Sequence, residues 1–185
     1  MKPVLPDDNN KRAVRAQTCT ARCFREVKRM IERAELHDLP EILQLQYLAY
    51  QSEAALFGSQ DIPPLKQTLD EVIAEYQSGI ILKMTEGGRI IGSVRAWEQD
   101  GTVQIGKLMV HPDYQRRGYG SQLLAEIERQ FPGKRYELFT STRSTDNLRL
   151  YQKRGYTEFA RKVIAGELEF VYLEKLLHQN TGDIT

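Results

Sequence analysis

Leu108-Met109-Val110-His111-Pro112-Asp113-Tyr114-Gln115-Arg116-Arg117-Gly118-Tyr119-Gly120-Ser121-Gln122-Leu123-Leu124 passes from an apolar strand into a basic, glycine-punctuated loop and on into a helix. His111-Pro112 stops the strand, because proline lacks the N–H that a ladder needs and restricts the residue before it. From Tyr119 the spacing is helical, with Leu123, Leu124, Ile127 and Phe131 on one face until Pro132-Gly133 ends the run. Between strand and helix lies Gln115-Arg116-Arg117-Gly118-Tyr119-Gly120-Ser121. Glycines there let the backbone approach a ligand closely and turn successive N–H groups into one concavity. The helix behind adds its partly positive N-terminus, and Arg116 and Arg117 add whole charges. A cradle for phosphate or pyrophosphate is the expectation. The run is not a Rossmann fingerprint, whose first glycine is missing, nor a Walker loop, which needs Gly-Lys-Ser/Thr. A glycine-bearing strand–helix connection with two solvated arginines has the same local sequence.

Upstream, the pattern is that of an antiparallel meander. Ile80–Met84 and Ile90–Trp97 read as strands around a turn at Glu86-Gly87-Gly88-Arg89, and Gln99-Asp100-Gly101 turns into a third strand, Thr102–Val110. In that strand Val103 and Ile105 are out of phase with Leu108 and Val110, so a strict period of two cannot put all four on one face. Either the strand is buried on both sides, or a bulge lies near Gly106–Leu108. Before the meander come a short strand near Met30–Glu35 and a helix with Asp38 as N-cap and Glu41 three residues on. That helix carries Leu39, Ile42, Leu43 and Leu45 through to Tyr50. After a break at Gly58 and Asp61-Ile62-Pro63-Pro64, a second helix spans Leu65 to Tyr76 and ends at Ser78-Gly79. Downstream follow a strand at Arg135–Ser141 and a helix capped by Ser144 or Thr145 that holds Leu148, Leu150 and Tyr151. Two last strands, about 157–165 and 167–176, are joined at Gly166. The sum is one α/β domain over residues 30–177, with a mixed, mostly antiparallel sheet of about six to seven strands, about four flanking helices, and a tail at 178–185.

The 185 residues, 41% hydrophobic and 28% charged, suit one domain with a buried core. No run of about 18 apolar residues supports a membrane span. The net charge of +1 conceals an asymmetry: residues 1–29 hold eight Lys/Arg against three Asp/Glu, leaving 18 against 22 in the rest. Residues 1–29 read as a basic, flexible extension; patterned sequence begins at Met30, so a start there is the other reading. The mildly acidic remainder speaks against a nucleic-acid partner. Cys19 and Cys23 are too few for a disulfide framework and lack companions for a metal site, which points to a reducing, cytoplasmic compartment and no metal.

The opening stretch resembles motif A of the GNAT superfamily of N-acetyltransferases, in which Gln/Arg-x-x-Gly-x-Gly/Ala follows a strand ending in Val-x-Pro. Asn147-Leu148-Arg149-Leu150-Tyr151-Gln152-Lys153-Arg154-Gly155-Tyr156 resembles motif B, at the expected distance. The resemblance covers roughly Met30 to Leu177. It implies a GNAT-like sheet with a splayed strand pair between Thr102–Val110 and Arg135–Ser141. It also implies acetyl-CoA as co-substrate and an amine acceptor, in a monomer or homodimer. By position, backbone N–H groups of Gln115, Arg116, Arg117, Gly118, Tyr119, Gly120 and Ser121 would hold the CoA pyrophosphate. Leu108, Met109 and Val110 would pair with pantetheine, and an N–H near Leu108–Met109 would polarise the thioester carbonyl. Tyr151 matches the proton donor to the departing thiolate; a tyrosine packing the last helix is the alternative. Asn147, one turn before Tyr151, or Ser144, seven residues before it, would bond pantetheine.

The general base is less clear in the residues. Many relatives carry a Glu four residues before the strand leucine, where this chain has Gln104, which cannot accept a proton. Glu53 and Glu98 are the remaining carboxylate candidates, beside a water chain with no dedicated base. The resemblance makes the stretch Tyr47 to Leu65 the substrate wall, with Tyr47, Tyr50, Glu53 and Phe57 as candidates. An acidic residue among aromatics suits a cationic amine, although aromatics there also suit core packing. The expected activity is acetyl transfer to a primary amine of a small molecule or peptide by direct attack. Gln104 keeps open the alternative of a catalytically weak or inactive CoA-binding sensor or structural subunit.

Overall fold

A computed structural model describes residues 29–165 and 168–176. The basic extension with Cys19 and Cys23, the turn at Gly166 and the tail at 178–185 lie outside the described residues. Hairpins build the first half of the sheet: β1 (Met30–Arg33), β2 (Ile80–Glu86), β3 (Arg89–Gln99) and β4 (Thr102–Val110) pair antiparallel in that order. The second half is β5 (Arg135–Ser141), β6 (Thr157–Ala165) and β7 (Leu168–Lys175), and the seven strands lie in the order β1-β2-β3-β4-β5-β7-β6.

The two halves meet at one parallel seam of three rungs, Thr102 with Arg135, Val103 with Tyr136 and Gln104 with Glu137. Past Gln104 the strands part: β4 stays on β3 as far as Val110, and β5 stays on β7 as far as Ser141. The expected splay is therefore present, closed at its base by the Gln104 amide donating to Glu137 at 2.8 Å.

The out-of-phase apolars of β4 are resolved by a bulge. Arg95 faces Gly106 and Ser93 faces Met109, so Lys107 and Leu108 together oppose Val94. Lys107 adopts a left-handed φ of 50°. The extra residue returns Leu108 and Val110 to the face that buries Val103 and Ile105. Met109 turns to the opposite core.

Among the described residues the four expected helices flank the sheet, the first two of them each divided, which gives six α-helical segments. The first helix divides at Tyr50 into α1 (Leu39–Ala49) and α2 (Gln51–Phe57). The second divides into α3 (Pro63–Lys66) and α4 (Leu69–Ser78), because Gln67 turns extended and a reciprocal Thr68–Glu71 capping box starts α4 afresh. Leu39, Ile42, Leu43 and Val72 from α1 and α4 pack with Ile81 and Ile90 on one face. On the other, α5 (Tyr119–Arg129) and α6 (Thr145–Lys153) bring Leu123, Leu124, Ile127 and Tyr151 against Leu82, Val94, Tyr136, Leu138 and Leu173.

Asp38 does not cap α1 with its side chain. Its carboxylate instead takes the N–H of Glu35 and the Lys83 ammonium, each at 2.7 Å, in a buried pair that ties the entrance of α1 to β2. Burial pushes the Asp38 carboxyl up, but these two donors outweigh it and hold it below its ordinary range. Glu41, expected in the same cap, accepts the Ile90 N–H at 2.9 Å and so pins α1 to the start of β3.

Candidate active site

The loop ahead of α5 is shaped by two left-handed residues, Arg116 at φ 61° and Gly118 at φ 80°. Gly118 occupies the N-cap of α5 and has no side chain to cap it. Among the described residues no acceptor takes the backbone N–H groups from Arg116 through Ser121; the first bond of the helix is Gln122 N–H to the Gly118 carbonyl. An oxyanion of suitable size would satisfy several of these donors at once. The loop is otherwise held from within. Arg117 donates to the Asp113 carbonyl at 2.8 Å and lies over the Tyr114 ring, and Gln115 donates to the Val110 carbonyl at 3.3 Å. Arg116 faces Asp146 at 3.9 Å, with both side chains in solvent. The Tyr119 side chain is core, so only its backbone belongs to the loop's concave side. At Gly120 a Cβ would lie 3.0 Å from Leu150 Cδ1, so that glycine serves the approach of α6 to α5.

At the open end of the β4–β5 split a cluster of side chains converges. Asn147 on α6 donates to Glu53 of α2 at 3.2 Å and to Thr140 of β5 at 3.4 Å. Tyr151, one turn on, is buried, its ring 6.1 Å from that of Tyr156, and its hydroxyl makes no hydrogen bond among the described residues. Burial and then the Glu53 charge push the Tyr151 phenol up, and the Tyr50 phenol moves the same way for the same leading reasons. Burial also raises Glu53, against the opposing effects of the Asn147 bond and the Lys107 charge. Among the described residues the Ser144 hydroxyl, at the N-cap of α6, is buried with no hydrogen-bond partner. A buried orphan in this cleft fits a ligand bearing amide groups, as pantetheine does.

The remaining candidates divide. Tyr47 donates to the Gln67 carbonyl at 2.5 Å and so fixes the α3–α4 connection. Tyr50 lies under Lys107 Nζ, 5.8 Å from the ring centre. Phe57 is half-buried at the last turn of α2. Glu98 is not brought into the cluster: it stands near the turn end of β3, opposite Val103, and pairs with Lys134 at 2.7 Å.

Two residues beside the cluster, Arg95 and Lys107, carried no signal in the sequence. Arg95 on β3 is 2% exposed and donates to Gln46 at 2.8 Å, Gln67 at 3.0 Å and Glu75 at 2.5 Å. Lys107, on the bulge, lines a cavity of about 650 Å³ with Asp61, Lys66, Gln67, Glu71 and Glu75. The break in β4 periodicity marked the bulge but not which side chain it would present. Among the described residues no group of three or more His, Cys, Asp or Glu is placed to hold a metal, and no helix is long and apolar enough to cross a membrane.

Comparison with known proteins bears on this arrangement. The family model described as the acetyltransferase (GNAT) family matches residues 36–156. UPF0157 protein YqkA of Bacillus subtilis (strain 168) is 28% identical over 117 residues, which are 63% of this chain and 34% of that protein, so the match spans about a third of this curated relative. Among solved structures, the ribosomal-protein-S18-alanine N-acetyltransferase from Escherichia coli superposes with a TM-score of 0.67 at 16% identity, over 85% of this chain and 99% of that one. YncA from Salmonella typhimurium, solved with its cofactor acetyl-CoA, gives 0.64 at 20% identity, over 83% and 96%. At such identities the likeness to these structures is one of fold. The loop before α5 and most of the cluster at the split fall inside the span that the family model matches: the chain belongs to the GNAT family of acetyltransferases.

Proposed function

We propose that the protein transfers an acetyl group from acetyl-CoA to a primary amine, with Tyr151 as general acid and Glu53 as general base. The observation that carries this is the Asn147–Glu53 contact of 3.2 Å, which holds the carboxylate of α2 beside the tyrosine helix at the mouth of the split. The N–H groups of Arg116 to Ser121, unpaired among the described residues, suit the pyrophosphate, and the Leu108–Val110 edge with the Ser144 hydroxyl suits the pantetheine arm. Acetyl-CoA supplies the acetyl group as an activated thioester. The neutral amine attacks its carbonyl carbon, and a backbone N–H near Leu108–Met109 takes up the charge growing on the oxygen. As the C–N bond forms and the C–S bond breaks, the thiolate receives the Tyr151 hydroxyl proton and Glu53 takes the proton shed by the nitrogen. Burial makes Glu53 a stronger base than an exposed carboxylate, while Tyr151, whose phenol burial also pushes up, is protonated and able to donate at neutral pH. Glu98, engaged with Lys134, is the poorer candidate.

The test is release of CoA thiol with a panel of primary amines, beside direct titration with acetyl-CoA. Turnover on at least one amine is expected. Tight acetyl-CoA binding with no turnover on any amine would favour a CoA-binding sensor, and absence of binding would sink both.

A further inference from the structure

The cavity between α3, α4 and the β4 bulge is rich in charge, but its charges differ in how far they are satisfied. Asp61 pairs with Lys66. Glu71 is consumed by the cap of α4, accepting the Thr68 N–H at 2.7 Å and the Thr68 hydroxyl at 3.2 Å. Glu75 receives Arg95 and the Gln67 amide, the latter at 2.6 Å. Lys107 has no such partner. Among the described residues it makes no hydrogen bond and no ion pair within 4 Å, and only the Tyr50 ring lies against its ammonium.

Two features hold Lys107 in this position. The bulge forces it to a left-handed φ of 50°, which a non-glycine residue adopts at a cost and which clusters at working sites. Arg95, directly across the ladder from Gly106, puts a second buried cation behind it, and among the described residues the Arg95 Nε has no acceptor. The charged groups acting on Lys107 are Glu75, Arg95, Glu53 and Glu71. The first and last of the carboxylates are engaged as described, and Glu53 must stay free to take a proton. Burial accordingly works against the Lys107 charge. A partly desolvated cation with no counter-ion is costly unless a ligand brings one.

We propose that Lys107 is the anion-binding residue of the acceptor site, so that the acceptor is a small amino-carboxylate whose carboxylate pairs with Lys107 while its amine meets Glu53 at the split. This deepens the acetyltransferase reading and rests on it. The cavity onto which Lys107 opens is in the volume range of small-molecule sites, and Glu53 stands outside its lining, on the side of the split. A purely cationic amine in this cavity would place its charge near Lys107.

The experiment compares matched acceptors: the common L-amino acids, each beside its own primary amide, in the thiol-release assay with wild-type protein. Taken per neutral amine, the free acids are expected to exceed their amides in kcat/KM by about tenfold or more, the worth of one charge-assisted hydrogen bond. Lys107→Met should erase that preference by raising KM for the acids about tenfold more than for the amides, with acetyl-CoA affinity within about twofold. Lys107→Arg should keep part of it. Amides as good as acids, turnover confined to amines without a carboxylate, or a Lys107→Met loss equal for acid and amide would each overturn the assignment and leave the acetyltransferase reading intact. Turnover on no amine of any kind would remove that reading, and the acceptor assignment with it. The wild-type acid–amide comparison decides the matter even if a variant fails to fold.

Discussion

Burial acts on Tyr151 and Glu53 in one direction with two consequences. For the phenol it stabilises the protonated donor; for the carboxyl it strengthens the base but costs stability. Tyr151→Phe should therefore lower kcat at least about tenfold while acetyl-CoA affinity, set by the loop before α5, barely changes; equal losses of rate and affinity would make Tyr151 a packing residue. Glu53 yields a signed pH dependence. Its folded-state pKa lies above the ordinary 4.5, so kcat/KM should fall as pH drops through that raised value. Glu53→Gln should remove this limb and lower the plateau about a hundredfold, leaving only the limb that belongs to the acceptor amine. For stability the sign reverses. The folded state holds the proton more tightly, so stability falls as pH rises from 4.5 through the folded value. Glu53→Gln should melt higher than wild type at pH 7, with the difference vanishing below about 4.5; a variant that melts lower at pH 7 contradicts the buried, costly carboxylate. The motif around Tyr151 is local and could be read in the sequence. The pairing of Glu53 with Asn147 could not be, since it spans 94 residues of chain and depends on how α2 crosses the split.

At the scale of elements, the periodicity of β4 announced its bulge and the glycines before α5 announced its loop. The partners of those features came from elsewhere. Arg95 looked like an ordinary charge in a strand, and nothing local pointed to Gln46, Gln67 and Glu75 as its neighbours. The two helix breaks, at Tyr50 and Gln67, were hidden because apolar spacing continues across both; the Thr68–Glu71 capping box was the missed signal. Gln104, at the position where a base was sought, has a structural account: it sits directly opposite Glu137 on the last rung of the seam and bonds to it. Gln104→Glu would set like charges face to face, relieved only in part by Arg135. It should cost about 1 kcal/mol, read as a lower Tm, with no gain in turnover; a rise in kcat would show that the seam tolerates a base there. The glycines before α5 separate in the same way. Gly118→Ala, strained at φ 80° in open space, should cost about 1 kcal/mol and weaken acetyl-CoA binding. Gly120→Val, driven into Leu150, should also lower kcat by displacing α6 and with it Tyr151.

In the whole molecule, the sheet is two ladders joined by three rungs, with β1 to β4 on one side and β5 to β7 on the other. Past Gln104 each flanking strand keeps its outer partner and turns an unpaired edge to the cleft. Unpaired strand edges exchange their amide hydrogens readily unless something covers them. An extended arm laid between them would act as a missing strand, while the phosphates would be met by the loop before α5 alone. Hydrogen exchange can therefore separate the two parts of the site. Adenosine 3′,5′-bisphosphate, which lacks the arm, should protect peptides covering Arg116–Ser121 and leave β4 unchanged. Acetyl-CoA should in addition protect Leu108–Val110 and the cleft side of Leu138–Ser141. Because ligand that binds only the folded state raises stability by about 2.7 kcal/mol at a hundredfold excess over Kd, both ligands should raise Tm comparably at matched saturation. The distinction must then appear in where protection falls. Identical footprints from the two ligands would mean that the cleft does not receive the arm, and that the split between β4 and β5 serves the fold alone.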